Sequence, residues 1–241
     1  MKSQINNIKK EFEKFNIITT KALFSYYKSK NPNVKKTTVN WHIYKLVQQG
    51  ELQRIGRGKF IIGKELKYAS NLSSKEFKIN KLLKKDFPFI KFCIWNTSIL
   101  NEFAQHVSAF QFIVVEAEKD ALDSVYFTLK DNFNSTFKKP AKEIVEEYIS
   151  NQPNSIIVNS FISEAPLEKI NKIPTSSLEK LLVDLYCDKN LFYFLRGYEL
   201  VNIYKNAFDK YTVNRSKLLR YAGRRGKKQQ MDKFIKSIIR Q

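Results

Sequence analysis

From Val39 onward the apolar positions fall at Val39, Ile43, Leu46 and Val47, an i, i+4, i+7, i+8 stripe that predicts a helix with one face toward a core. At about 100° per residue, Thr37, Asn40, Trp41, Tyr44 and Lys45 fall on the opposite side. That outer face joins a cation, hydrogen-bonding groups and two aromatics, and none of these five residues is an acid. Gly50 stands where a helix end favours a residue with freedom in φ. The pattern then becomes extended. Two short β-prone runs, 52–55 and 59–62, are joined by Gly56-Arg57-Gly58, which predicts a tight hairpin with an arginine at its tip. Upstream, Ile5, Ile8, Phe12 and Phe15 predict a helix over 5–15. Thr19 or Thr20 is placed to cap a second helix carrying Leu23, Phe24 and Tyr27, which Asn31-Pro32-Asn33 ends. Three helices followed by a basic hairpin predict a winged helix-turn-helix over residues 1–65.

Residues 66–76 are polar and read as a linker, with Ser73-Ser74 placed to start a helix that buries Ile79, Leu82 and Leu83. Strands expected at 91–95, 110–116 and 155–161 then alternate with helices expected at 97–105, 120–129 and 141–149. Such alternation predicts an α/β domain over 73–175. After Pro174 only helical patterns remain, at 176–186, 200–211, 215–221 and 231–239. They define a helical C-terminal region, 176–241, expected to pack with the α/β domain. The fold class read from the chain is therefore mixed, α+β or α/β, with a winged helix first.

Charge sharpens this picture. The net charge is +20, and it is segregated. Residues 1–72 carry +11, residues 73–188 carry −2, and residues 189–241 carry +11. Two basic ends around a near-neutral middle point to two surfaces for polyanions or acidic partners. In the first, Arg57 has a glycine on each side and leads the wing, while Arg54 and Lys59 flank it and are expected to neutralise phosphates. Lys35 and Lys36 precede the reading helix and are assigned the same role, and Thr37 is placed to cap that helix. Asn40 and Lys45 are candidates for base edges in the major groove. Trp41 and Tyr44 fit two roles: packing on sugar or a thymine methyl, or lying under the first helix, 5–15, or a dimer partner. The second cluster, Arg220, Arg224, Arg225, Lys227 and Lys228, is assigned to DNA backbone or an acidic protein surface, with a solvated helix as the plainer reading.

Catalytic signals are sparse. There is no phosphate-cradling glycine loop, and the two histidines, His42 and His106, are too few for a typical histidine-based metal site. His42 is read as touching phosphate or packing, and His106 as a surface residue. Cys93 and Cys187 lie in apolar runs without metal spacing and read as buried free thiols of a reducing compartment. No metal or cofactor is expected. Glu116, Glu118 and Lys119 place acids and a lysine at a strand end, but the spacing is one residue off a restriction-type nuclease, with Asp86 a poor upstream partner. Glu179 and Asp184 are five apart and share no i, i+4 face; one of them is expected as a buried acid paired with a C-terminal arginine. The chain shows no signal-peptide core and no run of membrane-spanning length, so it is expected in the cytoplasm with no membrane partner.

Two segments carry a family resemblance: PTSSLEKLLVDLY from Pro174, with Glu179, Leu181, Leu182 and Asp184, and NRSKLLRYAGRRGKKQQM from Asn214, with the run Leu218 to Ala222. Together with the leading winged helix, they resemble the AbiEi-like antitoxins of abortive-infection (type IV) toxin–antitoxin systems. The match touches the whole length but rests on about a quarter of it, and 73–170 is not matched residue by residue. The resemblance implies a non-enzymatic antitoxin that binds inverted repeats in its own promoter. It also implies a cognate nucleotidyltransferase-like toxin as partner, neutralised without a necessarily stable complex. Two alternatives remain at this stage: a nuclease-like DNA-processing enzyme targeted by the winged helix, and a regulator whose α/β domain senses a ligand.

Overall fold

The structure is a computed structural model that describes residues 8, 10–12, 15–63, 68–105 and 111–239. It is of the mixed α+β class, with several small sheets among many helices. Most of the helix expected over 5–15, including Ile5, lies outside the described residues, as do His106 and Phe110. The chain divides into two compact units: residues 1–68 with 208–218, and residues 69–207 with 219–241.

In the first unit, Thr19 caps the helix Thr20–Lys30, its hydroxyl accepting from the Ala22 N–H at 3.1 Å. The helix expected to read DNA runs Lys36–Gln48, and its buried residues are Val39, Ile43 and Leu46, with Val47 packed beside them. Thr37 does not cap it. The cap position is Lys35, which makes no side-chain capping bond, so Thr37 stands one residue inside the helix. Gly50 follows with φ 76°. The Gly50 N–H donates to Val47 O and the Glu51 N–H to Leu46 O, a Schellman ending that needs a residue tolerant of left-handed φ. Strands β2 (Leu52–Gly56) and β3 (Lys59–Ile62) form the wing, with an irregularity between Arg54 and Gly56. β1 (Ile18–Thr19) pairs with β3 to complete the three-stranded sheet. The base of the wing is tight: a Cβ on Gly63 would come within 1.8 Å of the Gly50 carbonyl oxygen.

The expected helical region 176–241 is split. Residues 208–218 belong to the winged unit, where the Gln53 side-chain amide donates to Val213 O (3.1 Å) and the Thr212 hydroxyl to Gly50 O (3.1 Å). Val213 is fully enclosed. These bonds pin the start of the wing from far along the chain.

The second unit is built on a four-stranded sheet in the order β4 (Phe92–Asn96), β5 (Phe112–Ala117), β7 (Ser155–Ser160), β6 (Thr136–Lys138). β4 is antiparallel to β5, whereas β5, β7 and β6 run parallel. One face carries Ile113, Val115, Ala117, Ile156 and Val158 and packs on helices Ser74–Asp86 and Leu122–Asn132. The first of these helices starts as the sequence predicts, with Ser73 and Glu76 forming a capping box. The other face carries Cys93, Trp95, Phe112, Val114 and Glu116, alternate residues of β4 and β5. Phe192 stacks on Phe112, and the helix Leu178–Cys187 lies over this face. That helix is enclosed almost all round, Leu178 through Leu185 being buried.

Three further differences have physical causes. The segment after Asn96 is a 3-10 turn, Thr97–Glu102, capped by the Asn96 side chain on the Ser98 N–H, rather than an α-helix. Residues 142–149 coil with a π turn over Val145–Ile149. The region before 176 holds a hairpin, β8 (Leu167–Ile170) with β9 (Ile173–Ser176), whose two-residue loop Asn171-Lys172 has φ of 50° and 66°. Two positive φ values make a turn that matches strand twist. Helix therefore begins at Leu178, capped by Ser177, two residues after the expected 176.

Candidate nucleic-acid interface

The reading helix presents what its sequence pattern predicts. Lys35, Lys36, Thr37, Asn40, Trp41 and Tyr44 are exposed. Trp41 and Tyr44, large apolar rings, are 51% and 62% exposed, so neither is covered within the unit. Lys45 is half-buried because its ammonium lies 3.9 Å from the Trp41 ring centre, a cation–π contact that stiffens both side chains. His42 packs: its imidazole stacks on Tyr27 with centroids 5.1 Å apart.

Arg54, Arg57 and Lys59 are exposed on the wing. The Thr20 N–H donates to Gly58 O at 2.9 Å, and Gly58 has φ 67°, so the tip is held against the second helix rather than waving free. Arg57 is thus presented from a fixed turn. Residues 14–50 contain no Asp or Glu, and neither do 52–63. The one acid between them, Glu51, is half-buried at the wing base. The face is therefore cationic and aromatic, with a helix of the width a major groove admits and a short basic hairpin beside it.

The second basic cluster does not form one surface. Arg220, Arg224, Lys227 and Lys228 are exposed, and Arg224 is bidentate on Glu164, with its Nε 3.1 Å from Oε2. Arg225 turns inward. Its NH1 donates to Asp184 Oδ1 (2.8 Å) and its NH2 to Asp188 Oδ1 (2.5 Å). It leaves the expected patch because two carboxylates draw it out of solvent. Burial opposes its charge, but Asp184 and Asp188 hold its pKa above the ordinary arginine value.

Of Glu179 and Asp184, either of which the sequence offered as a buried acid for a C-terminal arginine, Asp184 is the one that meets Arg225, within a larger assembly. It accepts from Tyr221 Oη (2.8 Å) and pairs with Lys180 Nζ (2.5 Å). Lys180 also pairs with Glu116. Lys180 is fully enclosed, and burial alone would lower its pKa. Asp184 and Glu116 more than offset this and raise it well above the usual value. Burial pushes the Glu116 carboxyl up to about 7, against the pull of Lys180. Residues Glu116, Glu118 and Lys119 thus do not converge. Glu116 points into this closed assembly, while Lys119 is exposed in the turn that follows β5. Among the described residues, no group of three or more His, Cys, Asp or Glu side chains is arranged to hold a metal. Sequence reasoning missed Lys180. Its signals were a lone glutamate inside an apolar strand and the i, i+4 spacing of Lys180 to Asp184.

No match is found among curated proteins. The family model described as "Family of unknown function (DUF6577)" matches residues 38–241, from within the reading helix through the second unit, and the chain belongs to that family.

Proposed function

We propose that this protein is a DNA-binding antitoxin and autorepressor. The winged unit docks the helix Lys36–Gln48 in a major groove of its own operator and lays Arg57 on the flanking backbone. The second unit neutralises a nucleotidyltransferase-like toxin. The observation that carries the DNA reading is the acid-free face with Trp41, Tyr44 and Arg57 held outward on ordered backbone. The antitoxin half rests on the resemblance in the 174–186 and 214–231 segments.

The test is affinity for duplex DNA from just upstream of the coding region, against scrambled DNA, over a range of salt. The protein should prefer its own upstream DNA, with affinity falling steeply as salt rises. Arg57→Ala should flatten the log–log salt slope by about 0.9, the share of one phosphate contact. Equal affinity for scrambled DNA refutes autorepression. Failure of co-expressed protein to rescue growth from the neighbouring gene product refutes the antitoxin half.

A further inference from the structure

The second unit has a cleft that shares only Lys227 with the second basic cluster and with the segments that carry the resemblance. Its volume is about 510 Å³, and Lys139, Asn159, Asp188, Lys189, Asn190 and Lys227 supply most of its polar lining. It sits beyond the carboxyl ends of the parallel strands β6 and β7, since Lys139 follows directly on Lys138 and Asn159 is the penultimate residue of β7. Ligands of open α/β sheets collect at that edge, because the strand ends and the loops that leave them form a crevice there.

The charge in the cleft is one-sided. Lys139, Lys189 and Lys227 have no acid partner among the described residues. The single acid of the lining, Asp188, is taken by Arg225. The neighbouring Lys138 is different, pairing with Asp123 at 2.8 Å. Lys139 adopts φ 42°, a backbone state unusual outside glycine, while its N–H is tied to Val158 O. That kink directs two adjacent lysines to different surroundings, one to an acid and one to the cleft. Pro140 and Leu191 add an apolar wall, and Asn159 and Asn190 bring amides able both to donate and to accept.

We propose that this cleft binds a nucleoside polyphosphate. The lysines would take the phosphate oxygens as point charges, the asparagines the base or ribose, and Leu191 with Pro140 the flat face of the base. The volume lies in the range of small-molecule sites and fits one nucleotide rather than a polymer track. This site is independent of the winged unit.

The experiment is calorimetric titration of the full chain with ATP, GTP, AMP and inorganic pyrophosphate, beside Lys189→Glu/Lys227→Glu and a control, Lys36→Glu, on the reading helix. Both altered lysines are exposed, so the double variant should fold; its thermal melt verifies this. The expected result is binding tighter than about 1 mM for a triphosphate, weaker for AMP, at least tenfold weaker in the double variant and unchanged in the control. No heat at millimolar nucleotide overturns the proposal. So does equal binding by the double variant. Pyrophosphate binding as tightly as any nucleotide reduces the cleft to a bare anion trap and overturns the nucleoside part. A double variant that loses affinity for duplex DNA but not for nucleotide makes the cleft a nucleic-acid surface instead.

Discussion

Lys180 reaches from the helix Leu178–Cys187 to the Glu116 carboxylate on β5, and the two side chains are 0% and 7% exposed. Around them the assembly holds three carboxylates, Glu116, Asp184 and Asp188, against two cations, Lys180 and Arg225. The Asp188 end of this assembly meets solvent, its side chain 33% exposed, whereas Lys180, Asp184 and Glu116 are closed in. Burial is the main cause of the raised pKa of Glu116, opposed by Lys180 and reinforced by the nearby Asp184 carboxylate.

Replacing Lys180 with methionine leaves Glu116 and Asp184 enclosed without their shared cation. Removing one partner of a buried ion pair costs about 3–5 kcal/mol. Urea unfolding of Lys180→Met should show a loss of that order, and a loss under about 1 kcal/mol would mean the pair is not closed to water.

Glu116 also predicts a pH dependence. Its folded pKa, about 7, lies above the ordinary 4.5. A group raised in this way contributes stability that is complete below the unfolded value and lost as pH rises through the folded one. Stability should therefore decline between pH 4.5 and 7 by up to about 3 kcal/mol. Glu116→Gln should flatten that stretch of the profile, and an unchanged profile would assign the dependence to other groups.

Gly63→Ala should damage the winged unit. The added carbon would meet the Gly50 carbonyl oxygen at 1.8 Å, and that backbone is held by the Gly63 N–H to Glu51 O bond of 2.7 Å. Overpacking of this kind costs about 1–3 kcal/mol. A thermal melt should fall, with DNA affinity falling alongside; an unshifted melt contradicts the close approach.

Gly223→Ala should do the opposite. Gly223 lies within the helix Arg215–Arg224, and its nearest neighbour to a new Cβ is Lys228 Cδ at 3.8 Å. Alanine there should add about 0.5–1 kcal/mol through helix propensity alone. Chemical denaturation that shows destabilisation would reveal crowding the geometry does not contain.

Trp41→Ala/Tyr44→Ala separates stability from recognition. Both rings are more than half exposed, but Trp41 also holds the Lys45 cation–π contact, so unfolding should move by no more than about 1 kcal/mol per site. Operator affinity should drop about tenfold, equivalent to about 1.4 kcal/mol. Unchanged affinity would remove this helix face from the interface.

Elements with strong local signals were legible in the sequence. The stripe of Val39, Ile43 and Leu46, the Gly50 ending, the Ser73 cap and the apolar run of β5 are each settled by residues a few positions apart. Short strands were not legible. β1 has two residues and β6 three, too few to show a period, and both are defined by partners elsewhere in the chain. Arg225 illustrates the same limit within the candidate sites. In the run from Arg224 to Lys228 it is one cation among four, and only the approach of Asp184 and Asp188 sets it apart.

The bond from Gln53 to Val213 has a bearing on how the protein is made. A ribosome that has just released residues 1–68 has delivered the helix Lys36–Gln48 and the hairpin after it, but not the segment that braces them. That segment follows only after the intervening body, residues 69–207, has been synthesised. A nascent chain therefore carries an unfinished first unit until its other unit is nearly all made, and a fragment cut between the units inherits the same defect. Residues 1–68 precede the second unit along the chain, yet their unit reaches its complete form only once residues 208–218 are made.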